Sequence, residues 1–267
     1  MKETRKRVHI VYPYLLNPTN PISVNLIGAG GTGSQMLTAL ARINQALNVL
    51  GHAGLQVNVF DDDAVQQSNL ARQLFTENEI GLNKGVALIN RINRFFGTNW
   101  KAVPERFEKS KGGKIVQNRT ANITVSCVDT VAARMDIDRV LRIEQGKTMN
   151  RDSNIYLLDF GNSKDSGQVV LSTVGRGEQP KSTKFETVGI LPSLVEEYQK
   201  LLNESEIQDQ TPSCSLAEAL DRQGLFVNSA LANLGASLLW TMLREGIIQY
   251  RGFFLNLRDF RTQPISV

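Results

Sequence analysis

The amino-acid sequence predicts an α/β fold: a Rossmann-like, mainly parallel sheet flanked by helices, with additional C-terminal, partly antiparallel strands. Three observations support this prediction. Short apolar runs alternate with helical patterns through about residue 160, as is typical of a parallel sheet. A glycine turn at residues 28–33 joins the first apolar run to the first helical pattern. Further apolar runs in the tail predict the antiparallel strands.

The elements of the core follow one another in a regular order. The apolar run at residues 23–28 predicts the first strand, and residues 31–50 predict the helix that follows it. Residues 57–61 predict a second strand that ends in an acidic cluster. The other expected elements are strands over 8–11, 100–103, 123–128, 155–159, 168–174 and 247–257, and helices over 84–96, 132–143 and 225–243.

Composition and charge exclude several classes of protein. An apolar fraction of 41% is enough for a full core, and a net charge of +4 is too mild to favour nucleic-acid binding. Asn228 and Asn233 interrupt the longest apolar stretch, so it predicts a buried helix and not a membrane span. The two cysteines cannot form a four-cysteine zinc set, so zinc is not expected. Few cysteines and no signal-peptide pattern predict a cytoplasmic location.

The glycine turn is a candidate phosphate-binding loop. Gly28, Gly30, Gly31 and Gly33 lie where a strand passes into a helix, and backbone N–H groups at a helix start can bind phosphate. The pattern alone also fits dinucleotide enzymes and methyltransferases. It fits equally a tight strand–helix turn with no ligand.

A more specific set of residues follows the second strand. Asp61 and Asp63 stand at the strand end, where a carboxylate can hold ribose hydroxyls. Asn69, Arg72 and Lys84 come next, and the two cations can neutralise a triphosphate. This order favours ATP chemistry. The simpler interpretation of the two cations is a solvated helix face.

These motifs resemble the ThiF/MoeB superfamily, the activating enzymes for ubiquitin-like and sulfur-carrier proteins. The resemblance is carried by Asp61-x-Asp63, by Ser68-Asn69-Leu70-Ala71-Arg72-Gln73 and by Gly81-x-x-Lys84. Within that superfamily, the chain is most similar to the ThiF-like component of bacterial plasmid PRTRC cassettes. The resemblance implies binding of ATP with Mg²⁺ and adenylation of the C-terminal glycine carboxylate of a small ubiquitin-like (β-grasp) protein.

The resemblance also implies roles for individual residues. The four glycines of the turn would line the phosphates, Asp61 would take the ribose hydroxyls with Asp63 beside it, and Asn69, Arg72 and Lys84 would contact phosphate oxygens. Asp129, at the end of a strand, would hold Mg²⁺, although a helix N-cap is a rival role for it. Arg72, Lys84 and Asp129 are the expected catalytic groups, because a carboxylate attacking a phosphate needs its charge screened.

Cys214 is a candidate nucleophile. Its context, Pro212-Ser213-Cys214-Ser215-Leu216, is similar to the cysteine that carries a thioester in the ubiquitin-activating branch. The alternative is an inert loop cysteine, since simpler members lack a working thiol there. If Cys214 is active, a conjugating enzyme becomes an expected partner.

Four segments are expected along the chain, and the family resemblance implies a homodimer. The segments are an N-terminal extension (1–22), a nucleotide-binding adenylation core (23–175), a polar crossover or lid segment (176–213), and C-terminal helices and strands that complete the same domain (214–267). Three other functions stay open at this point. They are an NAD-dependent oxidoreductase, a non-catalytic module that binds a nucleotide or a ubiquitin-like protein, and an enzyme that adenylates an RNA or a small-molecule carboxylate, for which the basic residues 101–119 leave room.

Overall fold

The computed structural model describes residues 5–107, 119–145, 151–175, 177–197 and 224–267. Eight strands of these residues form a central sheet: β2 (Ile22–Ile27), β3 (Leu55–Phe60), β4 (Lys101–Val103), β5 (Ile123–Ser126), β6 (Tyr156–Asn162), β7 (Ser166–Thr173), β10 (Tyr250–Asn256) and β11 (Arg261–Ser266). Their order across the sheet is β11-β10-β7-β6-β5-β2-β3-β4. Helices cover both faces: α1 (Gly31–Val49), α2 (Lys84–Phe96), α3 (Val131–Gln145) and α4 (Val227–Glu245).

Five neighbouring strands of this sheet are parallel. β2 pairs with β3 on one side and with β5 on the other, while β4 and β6 extend the two flanks in the same direction. The chain therefore reverses its direction of travel across the sheet after β4. A crevice forms at such a reversal, at the carboxyl ends of the strands.

The other part of the sheet is antiparallel. β7 runs antiparallel to β6, β10 to β7, and β11 to β10. The fold class predicted from sequence is therefore confirmed, although the edge strand β11 was not predicted. Most of β11 is exposed and it contains Pro264, so it lacks the alternating apolar pattern that marks an inner strand.

The two faces of the sheet have separate cores. Leu26, Val59 and Leu158 belong to the large core beneath α1, α2 and α4. The residues next to them in the chain, Ile27, Phe60 and Leu157, pack on the other face with Ile137 and Leu141 of α3. This alternation follows from the two-residue repeat of a strand.

A small second sheet holds the N-terminal strand against the main one. β1 (Arg7–Ile10) pairs with both β8 (Glu186–Thr187) and β9 (Ile247–Ile248). His9 of β1 contacts Tyr156 Oη through Nε2 at 2.8 Å and the Val188 carbonyl oxygen through Nδ1 at 2.7 Å. Tyr156 Oη also accepts a hydrogen bond from the Tyr12 N–H at 3.2 Å. These bonds fix β1 to the first residue of β6.

None of the helices in the described part of the chain has the length and apolar character needed to cross a bilayer.

The buried His9 makes stability depend on pH. Burial lowers its pKa below the usual 6.5, although the bond to Val188 opposes that effect, and the side chain is only 2% exposed. Below about pH 6.5 the unfolded chain then binds more protons than the folded one, so acid destabilises the fold. We expect the free energy of unfolding to fall more between about pH 7 and 5 in the wild type than in His9→Gln.

Urea unfolding at the two pH values measures this difference. His52→Gln is the control for the loss of the other histidine. Equal pH dependence in the wild type and in His9→Gln would contradict the prediction.

Candidate functional site

A cavity of about 610 Å³ opens at the carboxyl ends of β2, β3 and β5. Its size lies within the roughly 300–1,000 Å³ of small-molecule sites. Its lining includes Gly28, Gly30, Gly31 and Thr32 after β2; Asp61, Asp62, Asp63, Arg72, Gln73 and Lys84 after β3; Glu105, Arg106 and Phe107 after β4; Cys127, Val128, Asp129 and Thr130 after β5; and Asn162 and Asn228. Most residues that the sequence singled out are therefore in one place.

The glycine turn is shaped by close backbone approaches. Gly28 has a φ of +89°, and a Cβ there would lie 2.8 Å from the Cys127 carbonyl oxygen. A Cβ on Gly33 would lie 1.8 Å from the Gly28 carbonyl oxygen, so that glycine lets α1 pack on the end of β2. Gly33 is not part of the cavity lining, and its predicted contact with a phosphate stays a prediction.

Gly30 serves a different purpose. It is the N-cap of α1, and a Cβ there would have only Gln73 Nε2 within reach, at 4.0 Å. The missing side chain therefore leaves open space at the start of the helix. The first N–H groups of a helix have no partner within it and attract anions. This end of the cavity is suited to phosphate.

Asp61 connects the glycine turn after β2 to the acidic turn, residues 61–63, after β3. Its Oδ2 accepts a hydrogen bond from the Ala29 N–H at 2.6 Å, and its Oδ1 accepts one from the Asp63 N–H at 2.9 Å. Burial raises the pKa of the Asp61 carboxyl, while the bond from Ala29 and the charge of Lys84 oppose that rise. A carboxylate can accept about four hydrogen bonds, so both oxygens retain capacity for ribose hydroxyls.

Lys84 begins α2 and is only 8% exposed. Its Nζ lies 2.8 Å from Oδ2 of the exposed Asp63, and its N–H donates to the Asp63 carbonyl oxygen at 2.9 Å. Asn83, the N-cap of α2, also donates from Nδ2 to the Asp61 carbonyl oxygen at 2.8 Å. The acidic turn and the lysine are thus held in a fixed relation at the cavity wall.

The segment between the acidic turn and Lys84 brings Arg72 and Gln73 to the cavity, but Asn69 is not part of the lining. The half-buried Arg72 lines the cavity, and burial lowers the pKa of its guanidinium. Gln73 is buried, and its Oε1 has no hydrogen-bond partner among the described residues. Asn69 is also buried and its Oδ1 accepts from the Gln66 N–H at 2.8 Å, which caps a short 3-10 turn. Its direct contact with phosphate stays a prediction.

Asp129 follows β5 and is exposed at the cavity. The N-cap of α3 is its neighbour: Thr130 Oγ1 accepts from the Ala133 N–H at 3.2 Å. Mg²⁺ is commonly held by one or two carboxylates together with water and substrate phosphates, and Asp129 fits that requirement. Within the described residues no group of three or more His, Cys, Asp or Glu side chains could hold a metal ion by itself.

A buried ion pair supports the turn that carries Asp129. Arg134 of α3 pairs with Asp159 of β6, and the same guanidinium donates to the Val128 carbonyl oxygen at 2.6 Å. Burial raises the pKa of the Asp159 carboxyl, and the charge of Arg134 opposes that rise. Arg134 thus ties α3 and β6 to the end of β5.

Two aromatic side chains also line the cavity. Phe60 and Phe107 meet edge to face, with ring centroids 5.1 Å apart. Behind them the Arg119 guanidinium carbon lies 5.8 and 5.3 Å from their centroids, and Arg119 donates to the Arg106 carbonyl oxygen at 3.0 Å. Such a wall suits a planar aromatic ring. No motif in the sequence marks Phe107 or Arg119, which come together with Phe60 only through folding.

The structure describes only one of the two cysteines. Cys214 lies outside the described residues, so its role as a nucleophile stays a prediction. Cys127 is half-buried and contributes to the cavity lining, and burial raises the pKa of its thiol. Asn228 lines the cavity from α4, although in the sequence it was only a polar break in an apolar stretch.

The fold and the cavity define a class: an α/β protein with a glycine-lined crevice at the switch point of a mainly parallel sheet. Within that class, residues 19–264 match the ThiF family, and the chain belongs to it.

Individual relatives match over shorter stretches. The chain is 31% identical over 127 residues to ubiquitin-like modifier-activating enzyme 5 of Culex quinquefasciatus, a match that covers 43% of this chain and 30% of that protein. For the same enzyme of Drosophila erecta the identity is 32% over 129 residues, covering 43% and 29%. The matches thus span about a third of the length of these relatives.

Solved structures share the fold. Escherichia coli MccB has a TM-score of 0.60 at 15% identity, covering 94% of this chain and 63% of its own. PaaA has a TM-score of 0.58 at 15% identity, covering 92% and 72%. At such identities the likeness concerns the fold alone.

The glycines offer a matched pair of tests. Gly28→Ala places a side chain at positive φ against backbone, and we expect the free energy of unfolding to fall by about 1–3 kcal/mol. Gly30→Ala meets open space, and we expect a loss of less than about 1 kcal/mol, which includes the poorer N-cap. Urea unfolding of both variants measures the difference. Equal losses would show that the turn is not shaped by the approach of Gly28 to Cys127.

Proposed function

We propose that the cavity binds ATP and that the chain adenylates the C-terminal carboxylate of a peptide or small protein. The observation that carries this proposal is the convergence of the glycine turn, Asp61, Arg72 and Lys84 on one crevice. Membership of the ThiF family supports it. So does a fold shared with Escherichia coli MccB, one structure of which was solved with ATP.

In this proposal different residues of the cavity lining bind different parts of the nucleotide. The base lies on the apolar wall of Phe60 and Phe107, the ribose hydroxyls reach Asp61, and the phosphates lie along the glycine turn. Asp129 would hold Mg²⁺, which neutralises charge on phosphate oxygens when it is bound. Each part of the ligand therefore meets groups of suitable chemistry.

The reaction needs positioning and charge more than acid–base chemistry. An oxygen of the substrate carboxylate, already ionised near neutral pH, attacks the α-phosphorus. The bond between the α-phosphorus and the oxygen that bridges it to the β-phosphorus breaks. Pyrophosphate leaves with that oxygen, and an acyl-adenylate remains. Arg72 and Lys84 lower the barrier by offsetting negative charge on the attacked and departing groups.

The substrate class is the one finer feature of the proposal that the relatives support. Because ubiquitin-like modifier-activating enzymes are among them, we take the substrate to be a ubiquitin-like protein that ends in glycine. A homodimer, a conjugating enzyme as a partner, a cytoplasmic location and the plasmid PRTRC subfamily are further parts of the proposal. The four segments, with 176–213 as a crossover or lid, belong to it as well.

A nicotinamide dinucleotide is the rival ligand of this loop. The dinucleotide pattern consists of a glycine loop and one acidic residue, so it does not account for Arg72 and Lys84 at the cavity. A thermal shift separates the two: ATP with Mg²⁺ should raise the Tm and NADH should not. Stabilisation by NADH alone would reject adenylation in favour of an oxidoreductase.

The cations give the direct test of catalysis. With a peptide or protein substrate ending in glycine, we expect Arg72→Ala and Lys84→Ala to lower ATP–pyrophosphate exchange by about 100-fold or more. The Tm of Lys84→Ala should change little, because the partner Asp63 is exposed and stays hydrated. Arg94→Ala, on the exposed side of the same helix, is the matched control and should keep full exchange.

Full exchange in Arg72→Ala or in Lys84→Ala would remove that residue from the site. ATP binding without any exchange in the wild type would favour the non-catalytic module.

Cys214→Ala tests the later step. We expect adenylation to persist, because no part of the exchange reaction requires a thiol, and we expect any DTT-sensitive conjugate with the substrate to vanish. Non-reducing gels with and without DTT report the conjugate, and Cys127→Ser is the control for the other cysteine. A conjugate that survives in Cys214→Ala would place the thioester elsewhere.

A further inference from the structure

Asn228 links the C-terminal part of the chain to the glycine turn. It is the second residue of α4 and only 1% exposed, although it also contributes to the cavity lining. Its Oδ1 accepts a hydrogen bond from Thr32 Oγ1 at 3.0 Å and another from Asn162 Nδ2. One amide thus joins α1, β6 and α4 at the wall of the cavity.

Asn228 also explains the identity of Gly31. A Cβ on Gly31 would lie 2.4 Å from Asn228 Nδ2, so the amide packs directly on the backbone of the turn. No side chain fits at residue 31 unless Asn228 moves. Residue 31 is a glycine because the Asn228 side chain occupies the space that a Cβ would need.

The glycine turn is held by side chains outside its glycines, among them Ser34, whose hydroxyl donates to the Gly31 carbonyl oxygen at 3.1 Å. The N-cap of α1 is Gly30, and no side chain caps the helix. Glycine-rich backbone has more conformational freedom than any other, and fixing it costs entropy. The Thr32 hydroxyl is the first side-chain hydroxyl of the helix, and it bonds across 196 residues to Asn228.

We propose that Asn228 is a positioning residue that holds residues 30–32 in the conformation that receives the nucleotide's phosphates. It acts through Thr32 and the Gly31 backbone, so its effect is confined to ligands that carry phosphate. This inference rests on the proposed function, because it assumes that the cavity binds ATP.

The test compares two ligands. We expect Asn228→Ala to weaken ATP binding by about 10- to 100-fold, since two hydrogen bonds of the network are lost. Adenosine lacks phosphates, so its Kd should stay within about twofold of the wild-type value. Asn228→Asp keeps both acceptor bonds but puts a negative charge on the turn, so it should weaken ATP more than Asn228→Ala and again spare adenosine.

Matched variants separate positioning from simple stability. Asn233 lies on the exposed side of α4 and donates to the Ser229 carbonyl oxygen at 2.9 Å, and Asn233→Ala should bind both ligands normally. Thr32→Val should reproduce the effect of Asn228→Ala on ATP, whereas Thr32→Ser keeps the hydroxyl and should restore binding. The Thr32 pair also keeps the test decisive if an Asn228 variant does not fold.

The outcomes are distinct. If wild-type protein binds no ATP, the proposed function fails and this inference fails with it. If the wild type binds ATP but Asn228→Ala and Thr32→Val bind it equally well, only the inference fails. An equal weakening of ATP and adenosine also overturns it, because that result describes a general loss of stability.

Discussion

The geometry of the crevice depends on the two hydrogen bonds that the Asp61 carboxylate accepts. One of its oxygens fixes the Ala29 N–H in the turn after β2, and the other fixes the Asp63 N–H in the turn after β3. The two strands are already parallel neighbours, but strands do not set the direction of the loops that follow them. Burial disfavours the charge, as the raised pKa of Asp61 shows, and the backbone donors and Lys84 offset that cost.

Two ion pairs lie at or next to the crevice, and they differ in burial. Lys84 is paired with Asp63, but an exposed carboxylate contributes little stability to such a pair. The pair instead keeps the ammonium at the cavity wall, and two of its three N–H donors can serve another acceptor. Arg134 and Asp159 have the opposite setting: both are buried, and their pairing secures the backbone beside Asp129. The exposed pair can exchange partners, whereas the buried pair holds the scaffold.

Sequence predicted the parts of the site that lie close together along the chain. The glycine turn, the acidic turn, Arg72 and Lys84 form one segment, and their spacing indicated both the strand–turn–helix unit and the charges around it. The site's other walls come from distant segments: Asn228 and Arg119 act only after α4 and the segment at 105–107 have packed in place. For Asn69 the motif predicts a contact with phosphate, and it gives no sign that the side-chain amide caps a local turn, as it does in the structure.

The C-terminal part of the chain is therefore a structural component of the crevice. Leu231, Leu239 and Leu243 of α4 lie in the same core as Leu37 and Leu40 of α1, so the two helices fix each other's position. Without α4, α1 would expose that apolar face and the glycine turn would lose the contact between Thr32 and Asn228. Core packing and loop geometry thus arise from the same pair of helices. A displacement of α4 therefore reaches the glycine turn, because close-packed interiors transmit displacement.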